Sequence, residues 1–168
     1  EANKRSQEAG WQTRYAERAS ADAQNRVESI GGQLQQTRTE LNSMRQQAGE
    51  IANMESDLVS VRENAAKLQE KADWISDDSA NKFAAMYEAI KAQQQQENME
   101  KAIADYHKRL AELQRQETQL AQSLIQAQKD VENTGKALEA SEQNEIAAKK
   151  KAEATQQARD RSVENTFV

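Results

Sequence analysis

The chain reads as an all-α protein, a long antiparallel coiled-coil helical hairpin. Three observations predict it. Its 168 residues contain no proline and only five glycines, and proline is the residue that most strongly breaks a helix, at roughly 3 kcal/mol. Apolar side chains recur at alternating steps of three and four through two stretches of similar length. Between those stretches lies one interruption, Asp73 to Phe83, where the spacing lapses and Ser and Asp gather. Aromatics are only 4% of the chain and charged residues 30%, so large apolar groups are too sparse for a globular core and suit a narrow seam instead.

The first arm is expected over about 1–74. Val27, Ile30, Leu34, Thr37, Leu41, Met44, Ala48 and Ile51 mark one stripe, and Met54, Leu58, Val61, Ala65, Leu68, Ala72 and Ile75 continue it after a shift. Carried backwards, the same register falls on Ala23, Ser20, Ala16, Thr13, Ala9 and Ser6. Side chains this small bury little area at about 25 cal/mol per Å², so this end should fray or lean on a partner. Gly31-Gly32 interrupts the arm at a cost of roughly 2 kcal/mol relative to alanines. The Ile30-to-Leu34 spacing survives across the pair, which favours a tolerated kink; a turn there would give three helices.

The tip is expected at about 75–80. Asp77, Asp78 or Ser79 can cap the next helix by accepting its free amide protons, and acidic groups suit the positive end of its dipole. The second arm, about 81–164, is read as starting with Phe83, Met86 and Ile90. It then runs in heptad register from Ile103 through Tyr106, Leu110, Leu113, Glu117, Leu120, Leu124, Ala127, Val131 and Thr134 to Leu138. Each arm contains one three-residue slip, at Ala48–Ile51–Met54 and at Ile90–Gln93–Gln96–Met99, which would overwind the pair locally and predicts a distortion or a third packing partner. Folding about residue 77 pairs positions whose numbers add to about 155, which sets Gly49 near Tyr106, where a missing side chain would seat the ring. An unbroken arm of this length would span about 105 Å, and the whole is expected to form one elongated domain. A two-helix strip alone is narrow, so a further layer is expected from a second copy, a folded-back segment or a parent protein.

Chemistry has few residues to work with. There is no cysteine and one histidine, His107, which sits beside the seam and is expected at the surface. No thiolate, imidazole-rich zinc site, phosphate loop or EF-hand spacing can be assembled, so no catalytic residue, metal or cofactor is expected. Net charge is −5, with seventeen acidic against twelve basic residues in 31–135 and balance at both ends. The only cationic run, Lys149-Lys150-Lys151, is flanked by Glu145 and Glu153 and reads as a solvated helix face. A nucleic-acid partner is therefore not expected, nor is membrane insertion by this segment. The chain opens on Glu1, as a processed product or excised domain would. Absence of cysteine weakly favours a bacterial envelope, secreted or virion setting.

Aromatic placement is the most suggestive remaining feature. Trp74, Phe83 and Tyr87 gather at the tip, with Ile75, Asp77 and Asp78 among them. The expectation is that the rings pack on one another to close the hairpin; the alternative is a set of anchors for a partner's pocket. Trp11 and Tyr15 form a second pair, four residues apart and off the seam, as a local packing pair or a face for a third helix. A hairpin with this composition and an aromatic tip resembles the receptor-binding coiled coils of colicin-type bacterial toxins, in which the tip engages an outer-membrane receptor. That resemblance carries no motif and transfers no residues. The stretch Trp11-Gln-Thr-Arg-Tyr-Ala-Glu-Arg-Ala-Ser-Ala-Asp22 resembles the early periplasmic helix of phage lysis spanins over about a dozen residues. The function expected is a non-enzymatic spacer or assembly element of a larger bacterial or phage system, with protein partners or self-association. Receptor recognition through Trp74, Ile75, Asp77, Asp78, Phe83 and Tyr87 is the alternative.

Overall fold

The computed structural model describes residues 1–166. Two helices, α1 (Ala2–Trp74) and α2 (Ala80–Thr166), pack against each other as an all-α helical hairpin, with no strand among the described residues. The chain divides into two compact units, Glu1–Leu34 with the α2 segment from Gln119 onwards, and Gln35–Thr118.

In the first unit the α1 side of the seam is made of small residues. Thr13, Ala16, Ser20 and Ala23 are buried, and the Thr13 hydroxyl lies 3.1 Å from the Ala9 carbonyl and 3.3 Å from that of Ser141. A hydroxyl within bonding reach of its own i−4 carbonyl tolerates burial because its polar atom is satisfied. On α2, Ala127 is buried, and Val131, Thr134, Leu138, Ser141 and Glu145 follow half-buried at steps of four and three. The seam thus continues past Leu138 through Ser141 and Glu145.

The second unit holds the two largest fully buried side chains, Leu41 and Leu113, each contributing about 1.5–3 kcal/mol of burial. Cross-helix contacts flank the seam. Arg38 pairs with Glu117 at 2.9 Å, Arg109 with Glu40 at 2.7 Å and Arg62 with Glu100 at 2.9 Å. The Tyr106 hydroxyl donates to the Met44 carbonyl at 2.8 Å, and the His107 ring, exposed as expected, reaches Glu55 at 2.6 Å. Within each unit these partners obey the antiparallel register expected from a reversal near residue 77.

One alternative falls and three readings change. Both Gly31 and Gly32 lie inside α1 with no positive φ, so the chain does not turn there. The seam at the start of α2 runs through Lys82, Ala85, Ala89, Ala92, Gln96 and Met99, while Phe83, Met86 and Ile90 point outward. With that phase, steps of three and four alternate without a slip from Lys82 to Thr155, and the irregularity expected in the second arm vanishes. The slip in α1 remains: Ile51 and Met54 are both half-buried three residues apart, and Ala48 is exposed. Finally, Gly49 seats no ring. A Cβ there would meet nothing within 4 Å, and Tyr106 is anchored on Met44 instead.

Candidate interaction surface

The turn is built from residues 75–79. The Ser79 amide donates to the Ser76 carbonyl at 3.0 Å, closing a tight reversal, and the Ser79 hydroxyl accepts from the Asn81 amide at 3.3 Å. Of the three candidate caps, Ser79 is therefore the N-cap of α2. Lys82 closes the other helix: its ammonium donates to the Ala72 carbonyl at 2.6 Å and lies 3.5 Å from Asp77. A cation on an unsatisfied carbonyl at the negative end of α1 meets both the hydrogen-bonding and the dipole demand of that terminus. Lys82 gave no sequence signal, because its role depends on where the chain reverses. Below the turn, Ala72, Ala85 and Ala89 form a buried cluster, with Leu68 and Ile75 packed against it.

The aromatic residues take no part in this closure. Trp74 is 83% exposed, Phe83 81% and Tyr87 64%. Among the described residues the ring–ring contact present is Tyr106 on His107, edge-on at 5.4 Å, so the rings at the tip do not stack to close the hairpin. Phe83, Met86, Tyr87 and Ile90 are all exposed. Their spacing of i, i+3, i+4 and i+7 puts them on one helix face, one position away from the seam. Met86 and Ile90 join Phe83 and Tyr87 here because one residue of phase separates a buried stripe from a presented one. Ile75, by contrast, is half-buried on the alanine cluster. Asp77 and Asp78 are exposed, Asp77 beside Lys82.

In the first unit Trp11 and Tyr15 are also exposed. The Arg14 guanidinium sits 5.1 Å over the Trp11 ring, a cation–π contact. With Ala16, Ala19, Thr134 and Ala137 the two rings line an open groove of about 450 Å³.

Hydrogen bonds shift the titration of four ionisable groups. Glu100 is held below the usual carboxylate range by hydrogen bonds from Gln96 and then Arg62. Glu145 is lowered by Lys149 and then Thr13. Glu132 is lowered, and Lys136 raised, by their mutual hydrogen bond. Among the described residues no three His, Cys, Asp or Glu side chains converge as metal ligands, and no helix is long and apolar enough to cross a membrane. No protein-family model, curated protein or solved structure matches the chain.

Proposed function

We propose that this chain is a non-enzymatic helical interaction module, in which the paired helices carry the apolar face beside the turn to a protein partner. The observation that supports the reading is the exposure of Trp74, Phe83 and Tyr87. At 150–250 Å² per aromatic side chain these three present on the order of 500 Å² to solvent. Met86 and Ile90 extend that area. An area of this size equals the largest apolar patch of a typical soluble protein, which is often a functional one, and large aromatics are the side chains that most often dominate binding energy. A second reading, a rigid spacer or assembly element, draws support from the unbroken heptads of α2 between Lys82 and Thr155, which suit a helix meant to keep its phase over many turns.

Photo-crosslinking in the native host decides between them. A benzophenone amino acid replacing Tyr87 should give a discrete adduct that is absent when the same group replaces Gln69 or Lys101. The adduct should be lost in a Phe83→Ser background whose far-UV circular dichroism is unchanged. Equal labelling from all three positions, or no labelling from position 87, overturns the recognition reading and leaves the spacer.

A further inference from the structure

In the first unit the outer face of α1 carries a second heptad stripe. The seam there is Ser6, Ala9, Thr13, Ala16, Ser20 and Ala23, buried or half-buried. One or two residues before each of these stand Lys4, Glu8, Trp11, Tyr15, Arg18 and Asp22, at steps of four and three, and all six are exposed. That offset carries the second stripe roughly 150° round the helix from the seam. Such alternation is how one helix presents itself to another, and the hairpin leaves this stripe uncovered.

The order of its signs is self-complementary. From one end the stripe runs cation, acid, ring, ring, cation, acid. Laid antiparallel on a copy of itself, with the dyad level with Thr13, it sets Lys4 opposite Asp22, Glu8 opposite Arg18 and Trp11 opposite Tyr15. Every charged layer then joins opposite signs. Sliding by one heptad sets Trp11 against Asp22 or Glu8 and parts the rings, and a parallel copy in register sets each charge on its own kind, which disfavours association. Within one chain, Lys4 could reach Glu8 and Arg18 could reach Asp22, four residues on. Those pairs are not made: among the described residues the i, i+4 ion pairs of this unit are Lys136 with Glu132 and Lys149 with Glu145, both acid-first. The cation-first order is the weaker one within a helix. Arg14 flanks the dyad and nears its own copy, but its guanidinium lies over Trp11, which offsets that repulsion in part.

We propose that a second copy of this chain covers the outer face of α1, antiparallel, with Trp11 of each copy on Tyr15 of the other and Lys4 and Arg18 on the other's Asp22 and Glu8. The open groove of about 450 Å³ beside the rings gives them room to meet offset rather than collide. Two rings and exposed ion pairs fall short of the roughly 800 Å² per side of a standard interface. The dimer is therefore reversible, micromolar and weakened by salt. It involves neither the turn nor Phe83 and Tyr87, so it stands independently of the reading above.

Sedimentation equilibrium of the whole chain should show a monomer–dimer equilibrium whose dissociation constant rises at least about tenfold between roughly 0.05 and 0.5 M salt. Lys4→Glu and Asp22→Lys should each weaken the dimer at least about tenfold, because each sets like charges across both symmetric layers. An equimolar mixture of the two variants should dimerise within about threefold of the parent chain, because every layer between unlike copies again joins opposite charges. Positions 4 and 22 lie about 27 Å apart along one helix, so that recovery cannot arise within a chain. Trp11→Ser, with far-UV circular dichroism unchanged, should abolish the dimer at the same concentrations. A chain that stays monomeric to about 100 µM overturns the proposal, as do a dimer that both charge variants leave intact and a mixture no tighter than either variant alone. A dimer lost with Tyr87→Ser but kept with Trp11→Ser lies at the turn and overturns it as well.

Discussion

Replacing Gly31 and Gly32 together by alanine should stabilise the protein. Both glycines lie in the interior of α1, neither has a positive φ, and a Cβ built on either meets nothing within 4 Å. The added methyls therefore cause no clash, and the gain is that of filling two helix positions with the best helix former. Glycine trails alanine by about 0.5–1 kcal/mol at such a site, partly because it is freer in the unfolded chain. The pair should then gain about 1–2 kcal/mol. With a urea slope of about 2 kcal/mol per molar, the midpoint moves up by roughly 0.5–1 M, followed by the helical signal in far-UV circular dichroism. Gly135→Ala, also a helical position where an added Cβ meets nothing within 4 Å, provides the single-substitution reference and should gain about half as much. If the double variant is unchanged or less stable while Gly135→Ala gains, the chain turns at Gly31-Gly32 and the continuous helix is refuted, because a turn there would need a conformation that alanine resists.

Two further outcomes follow from the register and from the charges. Ala89 is 2% exposed and its larger neighbour Ile90 is 51% exposed. Ala89→Asp, which drives a carboxylate into the cluster with Ala72 and Ala85, should cost about 3 kcal/mol or more, whereas Ile90→Asp should cost about 1 kcal/mol; the opposite ranking in urea melts would restore the seam to Phe83, Met86 and Ile90. Glu145 has its folded pKa depressed, by Lys149 first and Thr13 second. Its contribution is thus complete above the unfolded carboxylate value and disappears as pH falls through the lower folded one. Between about pH 5 and pH 3, Glu145→Gln should lose less stability than the parent chain, and parallel curves for the two would show that Glu145 gains nothing from these partners.

Much of the fold was legible because a coiled-coil seam and its reversal are both written locally. Alternating steps identify the arms, and the Ser- and Asp-rich interruption identifies the turn to within a residue or two. Antiparallel pairing then follows, as in the approach of Tyr106 to Met44 and of Arg38 to Glu117. The phase at the start of α2 was not legible by side-chain size. Phe83, Met86 and Ile90 look like seam residues, and the Gln93–Gln96 run hides the join to Ile103. Carrying the Leu-rich register backwards from Leu113 instead lands on Met99, Gln96, Ala92, Ala89 and Ala85, which are the positions that are buried or half-buried. Continuity of the helix outweighs the size of individual side chains, since rotating α2 by one residue would misplace every later seam position. The same residue of phase decides whether the rings at the tip are core or surface. At the glycine pair the preserved Ile30-to-Leu34 spacing favours the continuous helix that is observed, although sequence sets only the cost of glycine in a helix and not the packing that offsets it.

The alanine seam beside the turn explains why those large side chains are left outside. The reversal takes only residues 75–79 and is cinched by the bonds from Ser79 to Ser76 and from Lys82 to Ala72, so the two helices must stay close where they leave it. Leu68 and Ile75 come from α1, and the cluster they pack on takes Ala85 and Ala89 from α2; a large residue answered by a small one lets the axes approach without overpacking. Had Phe83, Met86 and Ile90 filled the same strip, large would have met large and the turn would have been forced open. The hairpin is therefore complete without Phe83, Met86, Tyr87, Ile90 or Trp74. Exposed groups of this size contribute little to folding and favour aggregation, which makes their place beside the turn the part of the chain where a partner is most profitably sought.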